Sequence, residues 1–267
     1  MTASQEMYST NERPLRVLVV DDEAAMRRGI NVCLTAKGYV VEEARSGEEA
    51  LGFYHDRQPD LVLLDINMPG MSGIEVCRRI RTSDTKTGIV MVTVLDAEEA
   101  TIEALEAGAD DYIRKPFRVG EMLARLSALA RRARVHEVAE APVIVVGDLE
   151  LDLKHRVLRK EGEEVHLSPI EFSLLKYLMQ NPNVPVHHTK LLRAVWGLEY
   201  GQELEYLRTY IRLIRKKIEK DPARPEYIIT EPWLGYRFRD PFAAEAVRPA
   251  RPMRARVSTP ELVGEAV

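Results

Sequence analysis

Between Leu15 and Arg134, short aliphatic runs alternate with longer stretches of helical character. Val17–Val20, Leu61–Leu64 and Ile89–Val92 are almost unbroken apolar runs, and Val40–Glu43 and Asp111–Arg114 are weaker ones. Each is followed by a helix-like stretch: Ala24–Ala36, Glu48–His55, Ile74–Arg81, Glu98–Ala107 and Val119–Arg132. Five strands alternating with five helices, each connection long enough to cross over, predict a doubly wound parallel sheet covered on both faces. Continuous apolar strands, rather than alternating ones, are what burial on both sides requires.

The pattern changes after "ARVHEVAEAP" (Ala133–Pro142), where charge and breaker residues cluster. In "VIVVGDLELDLKHRVLRKEGEEVHL" short alternating strands are separated by Gly147, Lys154–His155 and Gly162, which predicts a small antiparallel sheet. Ser168, Pro169 and Glu171 then supply an N-cap, a first-turn proline and a capping-box acid, so a helix starts there. Two more helices, about Thr189–Trp196 and Glu203–Lys220, precede the hairpin-like "YIITEPWLGYRF". This divides the chain into an α/β domain over 15–134, a linker over 135–142 and an α+β domain over 143–240. Segments 1–14 and 241–267 have no usable periodicity and read as disordered.

With 267 residues, 45% apolar and 30% charged, the composition is that of an ordinary globular protein large enough for two cores. The net charge of −4 neither favours nor excludes nucleic acid, because a local patch matters more than the total. Cys33 and Cys77 lack metal-ligand spacing and read as reduced thiols. Membrane-length apolar runs and a signal-peptide core are both missing from the sequence, so a cytoplasmic location and no membrane partner are expected.

Chemistry concentrates at the strand ends. The first strand ends in Asp21 and Asp22, the third in Asp65, the fourth in Thr93, and the fifth delivers Lys115. In an open parallel sheet that edge is where ligands bind. A carboxylate pair after a strand is ordinarily a solvated turn, but polar groups at four successive strand ends argue for a site. Three converging carboxylates raise each other's pKa and invite a hard divalent cation, with Mg²⁺ suiting an all-oxygen site that keeps its waters. Metal, ammonium and hydroxyl around one carboxylate form a shell for a phosphoryl group in transfer, with Asp65 as nucleophile.

Through "VLVVDDE", "LVLLDINMPGMSGIEV", "EAGADDYIRKPF" and "ARLSALARR" the chain resembles the receiver domain of two-component response regulators. The resemblance implies strand order 2-1-3-4-5 and phosphorylation of Asp65 by a histidine kinase. It implies Mg²⁺ on Asp22, Asp65 and the Asn67 carbonyl, with Asp21 acting through water. It also implies phosphoryl contacts from Thr93 and Lys115, an inward-turning Tyr112, and a cis Lys115–Pro116 bond. Dimerisation on phosphorylation is implied through Asp110, Asp111, Glu121, Arg125 and Arg132, although Thr101 replaces a customary cation opposite Glu121. Val94 stands where a small residue is usual and Leu95 offers no polar group to orient water, so slow self-dephosphorylation is expected.

In the helix Glu203–Lys220, Leu207, Ile211, Ile214 and Ile218 form a buried stripe, with Arg208, Thr209, Arg212, Arg215, Lys216 and Lys217 beside and opposite it. A basic amphipathic helix is usually only a solvated surface. Here a helix precedes it and a hairpin follows, the order of a winged helix-turn-helix. "LSPIEFSLLKYL", "LLRAVWG", "YLRTYIRLIRKKIEKDP" and "YIITEPWLGYRF" resemble the output domain of the OmpR/PhoB family, leaning toward its KdpE subgroup of potassium-transport regulators. That implies double-stranded DNA as partner, with contacts from Arg208, Thr209, Arg212, Arg215 and Lys216, and from Arg237 in the minor groove. RNA polymerase contact through Gly197–Gln202 is also implied, and Trp233 departs from the usual wing glycine. The expected function is phosphorylation-dependent transcriptional regulation, possession of a potassium-transport target resting on the subgroup resemblance alone. An enzyme of the aspartate-nucleophile phosphatase type needs a second Asp two residues after the first, and that residue is Asn67. No enzymatic role is expected beyond the receiver's own phosphorylation and dephosphorylation.

Overall fold

The computed structural model describes residues 13–94, 98–134, 143–197, 200–201 and 203–241, with backbone only for 98–101 and 132–134. The expected tails and linker lie outside these residues, apart from their edges.

The first domain runs β1 (Arg16–Val20), α1 (Ala24–Thr35), β2 (Val40–Ala44), α2 (Gly47–Arg57), β3 (Leu61–Asp65), α3 (Gly73–Arg81), β4 (Gly88–Thr93), α4 (Glu98–Glu106), β5 (Asp111–Arg114) and α5 (Val119–Arg134). Its sheet is parallel in the order β2-β1-β3-β4-β5. Successive residues of a strand face opposite sides, and the core divides accordingly. Val17, Val19, Leu61, Leu63, Val90 and Val92 pack against α1 and α5 through Ile30, Leu34, Met122 and Leu126. Leu18, Val20, Val62, Leu64, Ile89 and Met91 pack against α2, α3 and α4 through Ala50, Val76, Ile80 and Ala104. Ser46 and Ser72 cap α2 and α3 by accepting from the backbone of Glu49 and Glu75. β3 and β4 extend one residue beyond their apolar runs, so Asp65 and Thr93 are themselves the last residues of strands.

The second domain opens with the antiparallel sheet β6 (Val143–Val146), β7 (Leu149–Asp152), β8 (Val157–Lys160) and β9 (Glu163–Val165). Helix α6 (Pro169–Met179) begins with the capping box formed by Ser168 and Glu171. Then come β10 (Val186–His187), α7 (His188–Val195), α8 (Leu204–Ile218) and the hairpin β11 (Ile228–Glu231) and β12 (Gly235–Phe238). β10 was not anticipated, because two residues carry no periodicity. It pairs with β12 at Gly235, where an added Cβ would lie 2.0 Å from the Val186 carbonyl oxygen, so only glycine lets these backbones meet.

Glu219 ties the end of α8 to the wing. Its buried carboxylate accepts from the backbone N–H of Glu226 (2.7 Å), Tyr227 (3.1 Å) and Ile228 (2.9 Å). Glu219→Ala strands these donors and is expected to cost about 3 kcal/mol. Chemical denaturation followed by tryptophan emission and circular dichroism measures this, and an unchanged midpoint would refute it.

Among the described residues, no helix is long and apolar enough to cross a membrane.

Candidate functional site

At the C-terminal edge of the parallel sheet, each of Asp21, Asp22 and Asp65 offers a carboxylate oxygen within 4.8 Å of the others. Asp21 and Asp65 are buried and Asp22 is exposed, so the group opens to solvent on one side. The Lys115 ammonium donates to Asp21 (2.7 Å) and to Asp65 (2.8 Å). Asp65 also accepts the Asn67 backbone N–H at 3.3 Å, and Asp21 that of Glu23 at 2.8 Å. Lys115 follows β5 and is joined to Pro116 by a cis peptide bond, as expected. Thr93 is buried at the end of β4, one residue beyond Val92, the cross-strand partner of Asp65.

Burial raises the Asp65 pKa, and the neighbouring Lys115 offsets this only in part because it is shared with Asp21, which itself repels Asp65. Burial also works against the Lys115 charge, but two carboxylates outweigh it and leave its pKa raised. One ammonium thus serves three acids. The set is wholly oxygen, partly open and under-neutralised, which fits a hard divalent cation such as Mg²⁺. Gly73 packs α3 directly beneath, where a Cβ would lie 2.1 Å from the Asp65 carbonyl oxygen. Val94 is exposed beside the site, whereas Leu95 lies outside the described residues.

The residues expected to pair two chains are held within this one. Asp110 is fully buried; it pairs with Arg81 (2.8 Å) and accepts the backbone N–H of Ile89 (2.9 Å) and of Ile170 in α6 (3.0 Å). Asp111 pairs with Arg125 at 3.0 Å and accepts hydrogen bonds from the hydroxyls of Tyr200 and Tyr206, the latter at 3.0 Å. Arg125 also donates to Glu121 and to Tyr200; burial disfavours its charge, but Asp111 and the two tyrosines keep its pKa raised. Asp110 and Asp111, expected at a contact between two chains, are here engaged within one chain, in part by the second domain. The Thr101 and Arg132 side chains lie outside the described residues.

Helix α8 meets the same face. Tyr206 stacks on Tyr112 with ring centroids 4.8 Å apart and planes inclined by 14°. Tyr210 donates to the Ala109 carbonyl at 2.6 Å. Arg212 pairs with Glu106 at 2.7 Å, and Lys216 approaches the same carboxylate at 3.8 Å. Tyr112, expected to turn inward as Thr93 moves, here packs against α8. Tyr200, Tyr206, Tyr210 and Glu106 were missed from the sequence. The available signal was the pair Tyr206 and Tyr210, which lies one position ahead of the Leu207/Ile211 stripe and widens the apolar arc beyond what one core needs.

The stripe of Leu207, Ile211, Ile214 and Ile218 is buried as expected. Thr209, expected at a base, is buried. Arg215 donates to the Ile228 carbonyl and to Thr230, and burial lowers its pKa, so it braces the wing. Arg237, expected to point outward, pairs with Glu231 at 2.6 Å. Arg208 is exposed and pairs with Glu205 on its own helix. Trp233 is fully exposed at the wing tip with φ +65°, the left-handed backbone that explains a glycine preference there. Of Gly197–Gln202, residues 198, 199 and 202 lie outside the described residues.

The response regulator receiver domain family matches residues 17–127, and the family described as transcriptional regulatory protein, C terminal, matches 162–238. The chain is 41% identical over 222 residues to the transcriptional regulatory protein KdpE of Mycobacterium tuberculosis, covering 83% of this chain and 98% of that one. It is 40% identical to the KDP operon transcriptional regulatory protein KdpE of Escherichia coli, with the same coverage. A solved structure of a RitR mutant covers 84% of this chain and 98% of its own, with TM-score 0.70 and 24% identity, a likeness of fold. With both halves matched in order and its KdpE relatives spanned almost end to end, the chain belongs to the OmpR/PhoB family of response regulators, DNA-binding transcription factors governed by phosphorylation.

Proposed function

We propose that Asp65 is the phosphoryl acceptor and that its phosphorylation releases α8 and the α4–β5–α5 face from each other. A carboxylate oxygen of Asp65 attacks phosphorus, the bond to a kinase histidine nitrogen breaks, and an acyl phosphate results. Asp22, Asp65 and the Asn67 carbonyl, with Asp21 through water, would hold Mg²⁺, which would supply positive charge beside the transferring group. Lys115, already within hydrogen-bond distance of Asp65, moves to a phosphoryl oxygen, and Thr93 supplies a hydroxyl to another. The observation that carries the reading is the single Lys115 ammonium held between Asp21 and Asp65 in a trio of acids.

The consequence for DNA follows from what α8 touches. Arg212 and Lys216 are paired with Glu106, and Tyr206 covers Tyr112. This closed form withholds both the groove-reading helix and the dimerisation face. Drawing Tyr112 inward removes the stacking partner of Tyr206 and weakens the closed form. The released receiver face then pairs two chains through Asp110, Asp111, Glu121, Arg125 and Arg132. The released α8 enters a major groove with Arg208, Arg212 and Lys216, while Arg237 follows with the wing. Loop 197–202 is the RNA polymerase contact, and the KdpE resemblance makes a potassium-transport operon the first promoter to examine.

Incubation with acetyl phosphate and Mg²⁺ tests the acceptor. Intact mass should rise by one phosphoryl group, located at Asp65 by borohydride reduction and peptide mapping, and Asp65→Asn should gain nothing. A phosphoryl group found elsewhere, or undiminished uptake by Asp65→Asn, would refute the assignment.

A further inference from the structure

A cavity of about 540 Å³ lies between α5 of the receiver and α6 and α7 of the winged-helix domain. Its wall contains Arg131, Arg156, Lys176 and Arg193 but not one carboxylate. Arg156 is engaged, its guanidinium 4.7 Å from the centre of the Phe172 ring and donating to the Pro169 carbonyl at 3.3 Å. Arg131, Lys176 and Arg193 form no salt bridge with any described residue, whereas Arg125, Arg212 and Lys217 nearby in the fold all do.

Trp196 belongs to the same wall and is 1% exposed, so its indole can report on the cavity while offering it no open surface. Three cations without anions on one cavity call for a multiply charged anion. The half-buried Tyr177 adds aromatic surface for a planar group. The volume is in the ordinary range for small-molecule sites, about 300–1,000 Å³.

We infer that this interdomain cavity binds a nucleoside polyphosphate, with its phosphates on Arg131, Lys176 and Arg193 and its base against Tyr177. Because Arg131 comes from the receiver and the rest from the winged-helix domain, a bound nucleotide joins the two domains and favours their closed contact. Binding needs that contact but not phosphorylation, so Asp65→Asn binds equally, and failure of the acceptor assignment leaves this inference intact.

The chain has two tryptophans, and the other, Trp233, is fully exposed, so Trp233→Phe makes Trp196 the sole indole reporter. In this background and without Mg²⁺, titration with ATP should change the emission saturably below millimolar concentration. Tripolyphosphate should compete, and adenosine alone should bind at least tenfold more weakly than ATP. Lys176→Gln with Arg193→Gln should weaken ATP at least tenfold, and Arg131→Gln should weaken it severalfold, each with an unchanged melting temperature. The inference fails if no saturable change occurs, if sulfate at equal concentration reproduces it, or if the double variant binds as the parent does. It also fails as an interdomain site if Arg131→Gln has no effect.

Discussion

Phenylalanine at both Tyr200 and Tyr206 is expected to raise the DNA affinity of the unphosphorylated protein by roughly tenfold to a hundredfold. Both hydroxyls donate to Asp111, which is 2% exposed and hence dependent on its partners. A hydrogen bond to a charged group contributes about 1.5–3 kcal/mol, and Arg125 remains on Asp111 in the variant, so a combined loss of about 1.5–3 kcal/mol is the reasonable figure. Both rings are retained, so the stack on Tyr112 and the packing against Trp196 survive and the fold is not the variable. If the binding-competent state is a small fraction, apparent affinity rises in proportion to that fraction. Anisotropy at one fixed salt concentration, on duplexes selected by the phosphorylated protein, reads the change. Linkage is reciprocal, so the same variant should accept phosphoryl from acetyl phosphate faster, or to a higher level, than the parent. Unaltered DNA affinity together with unaltered phosphorylation would show that the closed contact does not restrain the protein.

Lys115→Met should make stability depend on a divalent cation. The Lys115 ammonium neutralises Asp21 and Asp65 from a mostly buried position, with side-chain exposures of 13%, 3% and 6%. Methionine keeps the length and removes the charge, leaving three neighbouring acids without a cation. Removing one partner of a buried pair costs about 3–5 kcal/mol, and the opening toward Asp22 argues for the lower end. In EDTA the receiver's melting temperature should fall by roughly 10 °C. Added Mg²⁺ should recover most of that fall and shift the variant further than the parent, since the vacated charge strengthens ion binding. Equal Mg²⁺ shifts in both proteins would mean that the ion does not bind among these acids.

How far sequence reached can be traced through single residues. Strands buried on both faces advertise themselves as unbroken runs, so β1, β3 and β4 were legible and the acids at their ends followed. The Ser168–Pro169–Glu171 start of α6 was equally plain because capping is local chemistry. β10 was not, since two residues have no period. The interdomain face failed for a related reason: Asp111 and Tyr206 are 95 positions apart, and nothing local joins them. Asp110, Asp111 and Arg125 were marked as salt-bridge contacts to a second chain. What sequence could not weigh was that the partners could come from the same chain. Arg215 illustrates the limit for DNA contacts, because composition gives a basic helix while only packing separates a reader from a brace.

The latch between α4 and α8 carries a consequence for ionic strength. Glu106 holds Arg212 and Lys216 much as a backbone phosphate would, and the three side chains are 37%, 50% and 55% exposed, within reach of screening. Added electrolyte loosens protein from duplex by counterion competition, yet it also loosens the internal carboxylate that competes for these cations. The two tendencies oppose each other, so binding by the unphosphorylated chain falls less steeply with concentrated electrolyte than binding by the phosphorylated one.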